Sequence, residues 1–388
     1  QPVVQLVESI PVETSLGDHE TARTADVWLN MIKSAAKTID MEIFYLSHKQ
    51  GEALTPILRE LTAAAQRGVI VRILADAKMA TTYPATLDSL DVQPNISVRT
   101  IQYFNRLGGV MHAKYFIVDS QQIFMGSQNM DWRALEHIHE LGIYIRNNKL
   151  SQLIGKIFDL DWQLAFSGEQ TMLPSLDLNI VINRTLPLML LNTPGDTISL
   201  YPTFSPAAAT YPQLERDQTE IIELIENAKE RLEIQLLSYK PASGKFFYEK
   251  LDNALREAAV RGVKIRMIVS NWNTRHPDIQ FLKSLQVIPN IDIKISTLPQ
   301  WSGGFIPYAR VEHCKYMVVD SQYTWMGTSN WSWSYFHNSR NIGLIIKNRS
   351  LNQKTHRIFS RSWDSSYCRD LDISRDYSPP KISGEESQ

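Results

Sequence analysis

The segment 111–129, MHAKYFIVDSQQIFMGSQN, returns in the second half of the chain as 312–330, EHCKYMVVDSQYTWMGTSN. Each copy contains His-x-Lys-x-x-x-x-Asp followed by Gly, a hydroxyl residue, any residue and Asn. Further matches join 63–76 to 256–270 and 156–162 to 357–363. A repeat of this length predicts a chain built from two related halves.

The pattern within each half alternates helices with β-branched strands. In the segments 63–76 and 256–270, for example, an Ala-rich helix ends at a Gly and a strand follows. Such alternation is typical of an α/β fold, here two α/β sandwich halves. We predict a first half at 1–166, a connecting segment at 167–217, a second half at 218–376 and a mobile tail at 377–388.

Composition excludes some classes of protein. The formal net charge is −1, so any site for a polyanion must be local.

Two cysteines cannot build a disulfide framework, which fits a reducing compartment or a secreted bacterial protein without disulfides. No apolar run approaches the roughly 20 residues of a membrane span. The chain begins with Gln, which predicts removal of an upstream segment and favours a secreted, periplasmic or lumenal protein over a cytoplasmic one.

The polar residues of the repeat indicate phosphoryl chemistry. Residues two apart on a strand share a face, so His112 should lie beside Lys114, and His313 beside Lys315. One imidazole can attack phosphorus and the other can protonate the leaving oxygen, while the lysines neutralise the phosphate. We therefore predict a phosphodiesterase that needs no metal and no cofactor.

A second polar set repeats downstream of each histidine. Ser127 and Asn129 correspond to Thr328 and Asn330. We expect all four side chains to donate hydrogen bonds to phosphate oxygens.

One repeated position differs in charge. Glu140 lies 28 residues after His112, and Asn341 lies 28 residues after His313. A carboxylate that accepts from imidazole Nδ1–H fixes the tautomer and raises the basicity of the ring. We expect Glu140 to orient His112 in this way, and Asn341 to orient His313 without a charge.

Two other interpretations of the histidines in this chain have weaker support. A single His-x-Lys is usually structural, but two copies with the same spaced Asp and Asn are hard to explain so. The segment 136–140, EHIHE, could place His137 and His139 on one strand face as zinc ligands. No further ligand is apparent and 337–341 does not repeat the pattern, so we predict no metal there.

The paired motifs resemble those of the phospholipase D superfamily. The segments 6–11, 126–135, 306–320, 327–332 and 362–372 are most similar to the branch that contains the animal endolysosomal phospholipases D. The resemblance implies a pseudo-dimer with one central site and a phosphohistidine intermediate. It also implies that His112 is the nucleophile, that His313 is the general acid and base, and that Asp119 and Asp320 complete the catalytic motif in a supporting role.

The same branch acts on single-stranded DNA and RNA as a five-prime exonuclease, and lipid transphosphatidylation is also attributed to it. Aromatic side chains beside the motifs could stack on bases, at about 1–3 kcal/mol each; the candidates are Phe104, Trp132, Tyr308 and Trp331. We expect a single-strand exonuclease, with a phospholipase D or transphosphatidylase as the alternative and a non-catalytic binding protein third. The partner is then single-stranded nucleic acid or a phospholipid, and a homodimer is one option for assembly.

Overall fold

A computed structural model describes residues 3–167, 175–243 and 246–383. The first half is organised around one sheet with the strand order β2-β1-β10-β8-β7-β3-β5-β6, and a small separate pairing joins β4 to β9. The strands are β1 (Val4–Ser9), β2 (Ala22–Arg23), β3 (Thr38–Ile43), β4 (Leu46–Ser47), β5 (Ile70–Asp76), β6 (Ile96–Ile101), β7 (Tyr115–Val118), β8 (Gln122–Gly126), β9 (Met130–Asp131) and β10 (Glu140–Arg146).

Helices cover both faces of this sheet, which is why strands such as β7 are apolar throughout. Helices α1 and α2 pack on one face around Trp28 and Ile57, and α7 lies on the other face, toward the second half. The helices are α1 (Thr24–Ser34), α2 (Leu54–Gln66), α3 (Ala77–Thr82), α4 (Pro84–Asp91), α5 (Tyr103–Arg106), α6 (Trp132–Glu136) and α7 (Asn148–Ser167).

The second half repeats the plan in a sheet ordered β11-β12-β23-β21-β20-β14-β18-β19-β24, with β13 beside β12. Its helices are α8 (Asp217–Asn227), α9 (Glu249–Val260), α10 (Asp278–Gln286), α11 (Trp333–His337) and α12 (Arg349–Trp363), and single 3-10 turns occur at Ala207–Ala209 and Asn271–Thr274. The strands are β11 (Leu188–Thr193), β12 (Asp196–Ser205), β13 (Glu215–Arg216), β14 (Arg231–Leu236), β15 (Tyr239–Lys240), β16 (Ala242–Ser243), β17 (Phe246–Phe247), β18 (Lys264–Ser270), β19 (Ile291–Ser296), β20 (Tyr316–Val319), β21 (Tyr323–Gly327), β22 (Trp331–Ser332), β23 (Asn341–Lys347) and β24 (Cys368–Asp370).

The predicted connecting segment, 167–217, is more than a connection. Its strands β11 and β12 form one edge of the second sheet, where β12 pairs with β23 as β1 pairs with β10 in the first half. Sequence comparison missed this part of the repeat because 4–9 and 200–205 share little identity. Residues 168–174 of the segment lie outside the described residues.

The tail makes hydrogen bonds where it is described. The carbonyl of Ser378 accepts from the Thr274 hydroxyl at 3.2 Å, and the carbonyl of Ile382 accepts from the Tyr308 N–H at 2.8 Å. Its predicted mobility stays a prediction, and 384–388 lie outside the described residues.

The two halves meet in a shared core. One apolar cluster contains α7 and α12 together with the inner faces of both sheets, including Tyr115, Ile157, Tyr316 and Ile358. No helix in the described parts of the chain has the length and hydropathy to cross a membrane. Both cysteines, Cys314 and Cys368, are buried free thiols.

Glycines let the strands approach closely where they enter the interface. A Cβ atom on Gly126 would lie 2.5 Å from the Cα of Gly142, and one on Gly327 would lie 3.0 Å from the Cα of Gly343. Real Cβ atoms rarely show such contacts, so the glycine pairs allow β8 to approach β10, and β21 to approach β23. These strand ends carry the residues that surround the two motif histidines.

Candidate active site

The two histidines are held where the halves join. The backbone N–H of His112 donates to the carbonyl of Arg340 at 2.8 Å, and that of His313 donates to the carbonyl of His139 at 2.9 Å. Each histidine is thus fixed by backbone of the opposite half. The side chains are recessed, with exposures of 3% for His112 and 8% for His313.

The orienting residues cross between the halves, which corrects the expectation from sequence. Nδ1 of His313 donates to Oε2 of Glu140 at 2.7 Å, whereas Nδ1 of His112 lies 3.1 Å from Oδ1 of Asn341. Glu140 therefore does not orient His112, and it gives no reason to regard His112 as the more basic imidazole. Glu140 and Asn341 are the first residues of β10 and β23, and each points over the interface to the partner half.

The amide of Asn341 is fixed by its other contacts. Its Nδ2 donates to the carbonyl of Tyr335 at 2.7 Å, and its Oδ1 accepts from the Thr328 hydroxyl at 2.9 Å. Oδ1 can only accept, so His112 must carry its proton on Nδ1. That tautomer leaves the lone pair of His112 on Nε2.

The two lysines are placed symmetrically. Nζ of Lys114 donates to the carbonyl of His112, and Nζ of Lys315 donates to the carbonyl of His313, each at 2.6 Å. Both side chains are buried. An ammonium group has three donors, so each lysine retains donors for an anionic ligand.

Burial dominates the ionisation of this centre. Burial, reinforced by the charges of Lys114 and Lys315, lowers the pKa of both His112 and His313 well below the ordinary value. Burial also raises the pKa of Glu140 well above its ordinary value. Of the two imidazoles, only His313 has a carboxyl group with which it can share a proton.

The two hydroxyls do not bind phosphate, contrary to expectation. Ser127 is fully buried, and its hydroxyl donates to the carbonyl of Leu141 at 3.2 Å. Thr328 is also fully buried, and its single proton is donated to Asn341. Both hydroxyls lie beneath the strand ends that carry Glu140 and Asn341. The Ser127 hydroxyl holds the backbone next to Glu140, and the Thr328 hydroxyl holds the amide of Asn341.

The two motif asparagines remain candidates for phosphate binding. The amide oxygens of Asn129 and Asn330 are buried, and neither has a hydrogen-bond partner among the described residues. An amide oxygen only accepts, so a bound phosphodiester would be contacted through the Nδ2 donors of Asn129 and Asn330 and not through these oxygens.

The motif aspartates lie away from the histidines. The carboxylate of Asp119 accepts from the backbone N–H groups of residues 36–38, and that of Asp320 accepts from those of residues 229–231. They anchor the start of β3 and of β14 to the far ends of β7 and β20. These contacts fit the expected supporting role and give neither aspartate a direct part in the reaction.

Burial divides the four stacking candidates. Phe104 and Trp331 are at most 1% exposed and belong to the cores, so they cannot stack on a base. Tyr308 is 46% exposed, and Trp132 is partly exposed with Nζ of Lys49 over its ring at 4.6 Å. The last two remain candidates.

Sequence reasoning missed the aromatic walls of His112. The rings of Phe44 and Tyr335 contact the imidazole edge-on, with centroid distances of 4.9 and 4.8 Å. Phe44 directly follows β3, and Tyr335 lies in α11 of the other half. Position 44 is aromatic in the first half, while the matching Leu237 is not, and that difference was the available signal.

A buried charged cluster lies behind each histidine, and sequence reasoning missed both. Behind His112, the guanidinium of Arg340 makes two hydrogen bonds of 2.6 Å to Asp161. Behind His313, the ring of His139 lies 2.6 Å from Glu312 and 2.9 Å from Glu8. Arg340 and His139 occupy matching positions, each directly before the residue that orients a histidine.

The contacts of His139 also bear on the zinc pair that was considered for His137 and His139 and was not favoured. Both of its ring nitrogens are bonded to carboxylates, whereas His137 lies among Trp132, Trp301 and the carboxylates of Glu52 and Glu136. The two histidines therefore do not form one site.

The described geometry brings two imidazoles and two lysine amino groups to one recessed centre. Such a set suits nucleophilic attack on a phosphodiester followed by proton transfer. The fold and the site thus define a duplicated two-histidine phosphodiesterase.

Comparisons with known proteins agree. A family model described as "Cardiolipin synthase, PLD-like domain" matches residues 28–162 and 221–363. The chain is 32% identical to Phospholipase D Z of Dictyostelium discoideum, covering 94% of this chain and 90% of that protein. It is 31% identical to the human protein named 5'-3' exonuclease PLD3, covering 96% of this chain and 81% of that one. The chain belongs to the phospholipase D superfamily, which confirms the resemblance seen in the sequence.

A solved structure supports the fold independently. Phosphatidylserine synthase of Haemophilus influenzae Rd KW20 superposes with a TM-score of 0.64 at 12% identity, covering 90% of this chain and 86% of that one. At that identity the likeness concerns the fold alone.

Proposed function

We propose that this protein is a five-prime exonuclease on single-stranded DNA or RNA that acts through a phosphohistidine. The observation that carries the chemistry is the pairing of two imidazoles with unequal partners at one centre, Asn341 for His112 and Glu140 for His313. The substrate class is supported by relatives named 5'-3' exonuclease at about a third identity over most of the chain.

In the first step, Nε2 of His112 attacks phosphorus. A P–N bond forms, the P–O bond to the leaving group breaks, and protonated His313 gives its proton to the departing oxygen. The ammonium groups of Lys114 and Lys315 balance the charge on the non-bridging oxygens. In the second step, neutral His313 takes a proton from water, the hydroxide oxygen bonds to phosphorus, and the P–N bond breaks.

The role of Glu140 in this proposal is the reverse of the one expected from sequence. A neutral amide keeps His112 uncharged with its lone pair on Nε2, as a nucleophile requires. A carboxyl group beside His313 allows that ring to hold the proton that the first step consumes. Two imidazoles in equal surroundings would compete equally for that proton, so neither would have a fixed role.

Accessibility supports a chain end as substrate. Both histidines are more than nine-tenths buried, which restricts access for a phosphodiester in the middle of a strand. Tyr308 offers an exposed ring and Trp132 a partly exposed one for bases, and Lys49 above Trp132 adds a positive charge for the backbone.

The second candidate is a phospholipase D or transphosphatidylase activity. The relative named Phospholipase D Z supports it, since it matches this chain as closely as the exonucleases do. The same two-step chemistry would serve a lipid headgroup.

The substrate test compares three labelled substrates with the wild-type protein and His112→Ala. They are a linear single-stranded oligonucleotide, a circular strand of the same sequence, and phosphatidylcholine vesicles. We expect stepwise shortening of the linear strand, no cleavage of the circle, and at least about a thousandfold loss in His112→Ala. Cleavage of the circle would exclude exo-action, and turnover of the vesicles alone would favour the lipid function.

The nucleophile can be tested separately from the substrate. With an activated aryl phosphodiester, His313→Ala should still form the P–N bond, because the leaving group needs no proton, and should then hydrolyse it slowly. Mass spectrometry should place the phosphoryl group on His112. Phosphorylation of His313 in His112→Ala, with none in His313→Ala, would reverse the two roles.

Two further proposals concern organisation. With β11 and β12 assigned to the second half, the boundary between the halves can be tested by limited proteolysis. A homodimer can be tested by sedimentation over a range of protein concentrations.

A further inference from the structure

We propose that Glu52, Glu136 and His137 form a binding site for a divalent transition metal such as Zn²⁺, separate from the two motif histidines. One ligand atom from each of the three residues lies within 4.8 Å of the others. Glu136 ends α6, His137 follows it, and Glu52 lies two residues before α2. The three come from two chain segments that the fold places side by side.

The charges of this cluster are incompletely balanced. Among the described residues, the carboxylate of Glu136 makes no hydrogen bond and no ion pair. Glu52 has one ion pair, 2.9 Å from Nζ of Lys49. Two carboxylates this close repel each other unless a cation lies between them, and Lys49 is shared with the face of Trp132.

His137 supplies the independent observation. Its side chain is 3% exposed, and its Nδ1 is buried without a hydrogen-bond partner. Trp132 and Trp301 hold the ring from two sides, with centroid distances of 5.5 and 5.2 Å.

The chemistry of the ligands selects the ion. One imidazole nitrogen with two carboxylate oxygens is a common set for Zn²⁺, whereas Mg²⁺ and Ca²⁺ prefer oxygen ligands alone. Bonds of about 2.0–2.2 Å would require the ligand atoms to draw together around the ion. Three protein ligands leave one coordination position for water or for an anionic oxygen.

The site has no counterpart in the other half. The positions that match Glu136 and His137 hold His337 and Asn338, so no carboxylate is present there. The proposed site therefore belongs to the first half alone and is not part of the duplicated machinery.

The test measures metal binding rather than activity. Metal-free protein is dialysed against Zn²⁺, bound metal is counted by mass spectrometry, and Co²⁺ is used as a visible-absorption probe. Glu136→Gln and His137→Gln should each weaken binding at least about tenfold. Glu249→Gln and His19→Gln, exposed residues elsewhere, should bind as the wild type does.

Two further variants make the result specific. Lys49→Met should tighten binding, because the ammonium group competes with the metal for Glu52. His313→Ala should leave the affinity unchanged, since the catalytic imidazoles lie outside the cluster. Circular dichroism checks that each variant is folded. The proposal is overturned if folded wild-type protein binds no metal, if Glu136→Gln and His137→Gln bind as tightly as the wild type, or if binding is lost only in His313→Ala.

Discussion

The two halves carry the same motif but surround its histidine differently. His112 faces a neutral amide, Asn341, and has aromatic walls; His313 faces a carboxyl group, Glu140. The backbone bonds from the partner half and the lysine contacts are nearly identical in length. Duplication has therefore preserved the geometry of the site while its charge has diverged.

The buried clusters behind the two histidines also differ in the kind of charge that they contain. Arg340 is positively charged at any accessible pH and is compensated by Asp161 at two short hydrogen bonds. His139 lies between Glu8 and Glu312, and it can release its proton when one of them is removed. The cluster behind His112 thus contains a permanent buried charge, and the cluster behind His313 contains a titratable one.

The largest expected effect concerns stability. Asp161→Asn leaves the buried guanidinium of Arg340 poorly compensated and should lower the free energy of unfolding by about 3–5 kcal/mol. Glu312→Gln should cost less, about 1–3 kcal/mol, because His139 can become neutral and still bond to Glu8. Urea denaturation of both variants measures the difference, and equal losses would show that the two clusters do not differ as described.

The next effect concerns catalysis. Glu140→Gln removes the carboxyl group beside His313 and should lower kcat about a hundredfold or more, with little change in KM. Asn341→Ala removes a neutral orienting contact, together with the bonds of Asn341 to Thr328 and Tyr335, and should cost about tenfold. Steady-state kinetics on the oligonucleotide measures both losses of kcat, with Glu249→Gln as the control. A larger loss for Asn341→Ala would assign the more demanding role to His112.

The smallest effect concerns pH. Burial lowers the pKa of both motif lysines below the ordinary value, and that of Lys315 to about 8. The ammonium form of Lys315 persists below that value and is lost as the pH rises through it, so its loss should lower kcat/KM above about pH 8. Lys315→Arg should retain activity at higher pH, although at a reduced maximum, and Lys240→Arg on the surface should leave the profile unchanged. If only Lys114→Arg moves the alkaline limb, the assignment to Lys315 is wrong.

Most of the site could be predicted from sequence, because a repeated motif identifies residues without any knowledge of their contacts. The histidines, the lysines, Glu140 and Asn341 were all found in this way. Their pairing was not, because a spacing of 28 residues does not say toward which half a strand end points. The hydroxyls were misassigned for a related reason, since burial of Ser127 and Thr328 depends on glycine contacts between strands.

The fold was predictable to a similar extent. The motif strands and the Ala-rich helices follow local patterns that the sequence displays. The strand β12 was placed in the connection because its resemblance to β1 lies in pairing and position, not in residue identity. The clusters around Arg340 and His139 join residues up to 179 positions apart, and no local pattern reports such distances.

The crossed orienting bonds constrain how this chain can change over time. Because Glu140 serves His313 and Asn341 serves His112, neither half contains a complete catalytic group of its own. A substitution at Glu140 or Asn341 therefore changes the surroundings of the histidine in the opposite half. Fragments cut between the halves should be inactive alone, and activity that returns on mixing them would be a case of intragenic complementation.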